Sequence, residues 1–150
     1  MTTALIVIAC VALTCVVLWA YFTAQRLNSL HIRTDAALAA LESALNRRAA
    51  VTAALFPAHA GLARQVEAIA LKQGDIERRA QAEARLSAAV ADGLAGVPAN
   101  LIDADVRVKL AHRFYNEAVS DTRALRLRPV VRFLRLGGTA PLPDFFELQA

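Results

Sequence analysis

The spacing of apolar side chains changes character once along this chain, near residue 26. Before it, residues 2–25 carry no charged group, and ALIVIACVALTCVVLWAYF is apolar almost without interruption. As a helix rising ~1.5 Å per residue, that run spans roughly 36 Å, enough to cross a ~30 Å hydrocarbon core with some tilt. Beyond it the apolar positions recur at helical spacing. Leu27, Leu30, Ala37, Leu41 and Leu45 lie three, four or seven residues apart, so the first helix continues out of the apolar run as far as Phe56-Pro57. A second helix is predicted over 58–91 on a seam of Leu62, Val66, Ile69, Ile76, Ala80 and Val90, with Gly74-Asp75 as a point where it can break and Asp75 as a cap for its second half.

DGLAGVPAN, 92–100, gathers two glycines and a proline and predicts a loop. A third helix then covers 99–126. Asp103 and Asp105 near its start and Arg123 and Arg126 near its end suit the helix dipole, and Asp103–Arg107 and Asp105–Lys109 are spaced for i,i+4 pairs. In the segment LRLRPVVRFLRLGG, Pro129 opens a short helix that Gly137-Gly138 would end, with Arg128, Arg132 and Arg135 on one face; Pro141 and Pro143 then impose an extended stretch up to Phe145-Phe146. No strand pattern interrupts this series. The expectation is an all-α protein: an N-terminal transmembrane helix (1–25), an antiparallel bundle of about three long helices (26–127), and a short basic helix with an extended tail (128–150). If each long helix reverses the one before it, the third leads away from the membrane and Arg128 to Arg135 lie at the far tip.

Two other readings of the N-terminus fit less well. A cleaved signal peptide wants a basic start and small residues before the cut, whereas MTT has no basic side chain and Phe22 stands in the way of a cut after Ala24. A lipid-modified Cys10 after VIA is preceded by only nine residues, none of them basic. Trp19, Tyr21 and Phe22 form an aromatic belt at the far end of the span, closed by Arg26. Arg26 and Arg33 follow the span and no Lys or Arg precedes it, which directs the bundle to the cytoplasmic side of the cell membrane.

Charge and chemistry narrow the function. The stretch 113–135 holds six arginines against Glu117 and Asp121; elsewhere basic and acidic side chains balance, so the net charge of +4 resides there. Such a segment can contact anionic lipid or phosphates, although no aromatic platform or DNA-binding motif accompanies it, so nucleic acid is not the expected partner. Cys10 and Cys15, the only cysteines, do not share a helix face, and His31 and His59 stand apart. Ser29, Ser43, Ser87 and Ser120 sit in helical runs without a nucleophile elbow, and there is no zinc-protease or phosphate-loop motif. No catalytic residue, metal site, cofactor or small-molecule substrate is expected. The polar cluster HRFYNEAVSD, 112–121, reads as one side of a packed helix, with Phe114 or Tyr115 filling the seam between Ala111 and Ala118, and with His112, Asn116 and Arg123 projecting to one side.

Two blocks resemble the LemA family of bacterial membrane proteins. In RLNSLHIRTDAALAALESALNRRAAV, Asn28, Leu30 and Arg33 begin a helix that closes on Arg47-Arg48; the second block runs from RVKLAHRFYNEAV to the Gly-Gly and Phe-Phe-Glu ending. The chain departs from the pattern in having Ala49-Ala50-Val51 after the arginine pair and a shortened middle. The resemblance implies one membrane helix, a domain of long helices and no settled enzymatic activity. It also implies that Phe114, Tyr115 and Asn116 mark a packed helix that holds the tail. The function expected is that of a scaffold for protein partners or self-association, with Phe145 and Phe146, besides the tail arginines, as contact residues.

Overall fold

The computed structural model describes residues 1–91, 96–138 and 141–148. The chain is helical, with no strand among these residues: α1 Thr2–Leu55, a 3₁₀ turn Pro57–His59, α2 Ala60–Glu67, α3 Ile76–Ala91, α4 Ala99–Arg126 and α5 Pro129–Phe133. α1 contains neither proline nor glycine, so nothing stops its backbone ladder over 54 residues, a length of roughly 80 Å. It contains one segment long and apolar enough to cross a membrane, near the N-terminus, and none of that segment is buried in the fold. Of the loop foreseen at 92–100, residues 96–98 are non-helical and 92–95 lie outside the described residues.

The second long helix does not exist as one piece. Helix stops after Glu67 and resumes at Ile76. In between, the Leu71 amide donates to the Glu42 carboxylate at 2.9 Å, and the Asp75 amide closes a turn on the Lys72 carbonyl at 3.0 Å. Gly74 sits in that turn at φ 94°, a conformation that side chains with a Cβ rarely adopt. Asp75 offers its backbone carbonyl to the Arg79 amide at 3.4 Å.

This break reverses the polarity of everything that follows. α2 runs back along α1, α3 runs outward again, and α4 returns along the whole bundle towards the apolar run. The pairing register records it: Arg48 meets Asp105, Thr34 meets Thr122, and Leu27 clusters with Leu125. The core accordingly has three storeys. Ala49, Ala63, Val66, Leu86, Val90 and Leu101 fill the far one. Leu41, Leu45, Leu71, Ile76, Val108, Tyr115, Val119 and Phe146 are the main members of the middle one. Leu27, Leu125 and Val131 make the near one, with Leu30 and Leu136 against them. The expectation that the basic segment lies at the distal tip is therefore overturned: α5 packs beside Leu27, where the uncharged run ends.

Candidate interaction surfaces

Four clusters of side chains stand out, and the first answers what the HRFYNEAVSD stretch does. α4 turns His112, Asn116 and Arg123 to one side, and the chain end 141–148 lies back along that side. The Asn116 side chain brackets the Phe146 backbone, its Nδ2 donating to the carbonyl and its Oδ1 accepting from the amide, both at 3.0 Å. His112 Nε2 lies 2.7 Å from the same carbonyl. The same nitrogen also lies 3.0 Å from Asn116 Nδ2. The Tyr115 hydroxyl donates to the Asp144 carbonyl at 2.6 Å and accepts from Gln73 Nε2 at 3.1 Å. Burial, above all, pushes its pKa above the ordinary tyrosine value, with the Gln73 bond opposing. Arg123 donates to the Pro143 carbonyl at 3.0 Å and stands 5.3 Å from the Phe145 ring centroid, and Arg126 donates to the Pro141 carbonyl at 2.8 Å. Phe146, expected as a partner contact, is buried in the protein's own core instead; Phe145 remains 45% exposed.

Inside the bundle lies a charged cluster that sequence reasoning missed. Arg79 is fully buried; its Nε donates to Glu83 at 2.9 Å and its Nη2 to the Asn46 side chain at 2.7 Å, while Nη1 caps the Ile69 carbonyl. Arg48 reaches Glu83 from α1 at 2.6 Å and Asp105 on α4 at 3.3 Å, so Asp105 turns to α1 in place of the Lys109 pairing foreseen for it. No buried side-chain nitrogen or oxygen among the described residues lacks a partner. The signal was present: Arg79 and Glu83 fall on the same seam as Ile76, Ala80, Leu86 and Val90, where a helix in an ordinary bundle carries apolar residues. The set is a structural clamp. Both carboxylate oxygens of Glu83 are engaged by guanidinium groups, which leaves no free base for proton transfer. No group of three or more metal-ligating side chains occurs among the described residues.

The third surface is an unpartnered stripe on α4. Ile102, Val106, Leu110 and Phe114 follow one another at four-residue steps and are each 50–57% exposed. Of Phe114 and Tyr115, the two candidates for the packed seam, Tyr115 fills that place and Phe114 faces out. Beside the stripe, Ala37, Ala40 and Ala44 of α1 leave a shallow groove bordered by Arg47 and Arg107. Arg107 also bonds Asp103 at 2.8 Å and thereby lowers that carboxyl's pKa. Arg47 and Asn28, two of the motif positions, are exposed on α1, whereas Arg48 is buried.

The fourth surface is the elbow from α4 into α5. Leu127, Val130, Phe133 and Leu134 are exposed there, Phe133 at 86%, among the exposed Arg128, Arg132 and Arg135. These arginines do not form the single helical face that was foreseen. Arg128 is the N-cap residue, and the helix ends at Phe133, short of Gly137. Arg135 closes it in the left-handed region at φ 49°, its amide bonded to the Arg132 carbonyl and the Leu136 amide to that of Val131. That is a Schellman stop with arginine where glycine is usual. Trp19, Tyr21, Phe22 and Arg26 lie exposed on α1 near the same level, Tyr21 and Phe22 edge to face at 5.7 Å.

No family model matches the chain, and the comparisons with curated proteins and with solved structures give no significant match either.

Proposed function

We propose that the protein is a non-catalytic, single-pass membrane protein whose LemA-like helical bundle serves as a platform for protein association, on the cytoplasmic side of the cell membrane. The observation that carries this reading is the apolar stripe Ile102–Val106–Leu110–Phe114 beside the alanine-lined flank of α1. Four half-exposed large side chains in a row, next to small ones that let another helix approach closely, suit helix-on-helix packing. The buried charges fit the same reading, because they lock three helices together.

The first occupant of the stripe is a second copy of this chain. Anchored copies share one orientation and stand at one height above the bilayer, so a two-fold axis along the membrane normal sets the stripe against itself in register. The test uses the full chain in membranes, with Cys10 and Cys15 replaced by alanine and a single cysteine at Leu110. Oxidation is expected to give a dimer through Leu110→Cys but none through Glu77→Cys on α3, and Val106→Glu is expected to abolish it. Equal cross-linking at both positions, or a monomer by native mass measurement in nanodiscs, would overturn the reading.

A further inference from the structure

We infer that the α4–α5 elbow is a second membrane contact, an interfacial patch that seats itself among anionic lipid headgroups of the bilayer that α1 crosses. This goes beyond the association reading and does not depend on it, but it rests on the proposed membrane span of α1. Position is the first argument. Val131 packs on Leu27, two residues beyond Gln25, the last residue of the uncharged run, an axial step of ~3 Å along α1. Headgroup layers add roughly 5–7 Å to each side of the hydrocarbon core, so a helix seated at Leu27 lies within or against that layer. Ala20, Thr23 and Ala24, on the face of α1 that leads to Leu27, are already partly covered, unlike residues 2–19. The fold's cover of α1 thus overlaps the last turns of the apolar run.

Composition is the second argument. Leu127, Val130, Phe133 and Leu134 would be poorly placed in water, and Phe133 is the most exposed large apolar side chain beyond Met1. Interleaved with Arg128, Arg132 and Arg135, they make the mixture of apolar insertion and basic headgroup contact that interfacial segments use. The three arginines form no ion pair among the described residues. Two acidic side chains on the adjoining stretches are engaged elsewhere: Asp121 faces Arg33 at 3.4 Å and Asp144 faces Arg123 at 3.9 Å. Arg135 holds a left-handed conformation at φ 49° that glycine would adopt without strain, while two glycines follow it directly after Leu136.

The test places an environment-sensitive fluorophore on Phe133→Cys in the full chain with Cys10 and Cys15 replaced by alanine, reconstituted in nanodiscs. Discs are made of phosphatidylcholine alone or with added phosphatidylserine. Blue-shifted emission and quenching by brominated lipid are expected at this position, both stronger in the anionic discs and weakened by salt. A label on Asn100→Cys, at the far end of the bundle, should stay in water. Replacing Arg128, Arg132 and Arg135 together with glutamine should abolish the dependence on phosphatidylserine with helicity unchanged, and lysine at the same positions should restore it. Water-like emission at Phe133→Cys in both discs would overturn the inference, as would failure of the chain to enter discs at all. An equal response to a single-stranded oligonucleotide in neutral discs would assign the patch to nucleic acid and overturn it too.

Discussion

Glu83 is the residue on which most of the bundle's internal charge depends. Two guanidinium groups from different helices converge on it, one of them from a fully buried Arg79. Taking charges out of water is costly, and the arrangement persists only because every donor finds an acceptor: Glu83, Asp105, Asn46 and the Ile69 carbonyl. Glu83→Ala leaves both arginines in a low-dielectric interior without their shared counter-charge. The expected loss is about 3–5 kcal/mol, read as a fall in the denaturation midpoint, whereas replacing the exposed Arg107 should shift it hardly at all. Arg79 also explains why the cluster escaped a reading by periodicity. Charged residues are assigned to the solvent face by default, and only the partners supplied by α1 and by the 68–75 segment make a buried position tolerable.

At the scale of elements, the chain end behaves as a fourth layer on α4, held by side chains and not by a backbone ladder. Its anchor is Phe146, with Asn116 standing in for the neighbouring strand that an extended segment lacks. Tyr115 makes this docking sensitive to alkali. Burial raises its pKa above 10.0, so the folded state favours the protonated hydroxyl; that stabilisation is fully present below pH 10 and is lost as pH rises through the raised value. A fluorophore on Leu148→Cys should report release of the tail in that alkaline range. Tyr115→Phe should remove the transition while weakening docking at neutral pH, because the bond to the Asp144 carbonyl is gone. An unchanged alkaline transition in the phenylalanine variant would show that another group controls it.

For the molecule as a whole, the reversal between α2 and α3 has the widest consequences. It brings the carboxyl-terminal half back to the level of the apolar run and leaves the far storey to the turns at Phe56-Pro57 and 96–98. The cytoplasmic side proposed for the bundle rests on Arg26 and Arg33 after the apolar run and can be tested directly. With Cys10 and Cys15 replaced, a cysteine at the exposed Ser120 should resist a membrane-impermeant thiol reagent in intact cells and react after lysis. Labelling of intact cells would place the bundle outside and turn the search for partners to that face.

The sequence by itself determined the local features of this protein. The uncharged run, the long first helix, the span of α4 at 99–126 and the glycine turn from which the middle helix resumes all follow from periodicity, charge placement and backbone breakers, which act over a few residues. His112, Asn116 and Arg123 were legible as sharing one side of a helix, but their common target was not, since it lies some thirty positions along the chain for the first two. Only the tertiary structure decided the direction of each helix after residue 67, and with it the end of the bundle to which the basic elbow belongs. The physical reason is a small local difference against several distant contacts. Continuing one helix through 68–75 costs little at a glycine. The break prevails because Glu42 takes the Leu71 amide, Asn46 and the Ile69 carbonyl take Arg79, and Gln73 joins Tyr115 to the tail. Such partners are far apart in the chain and carry no periodic signal.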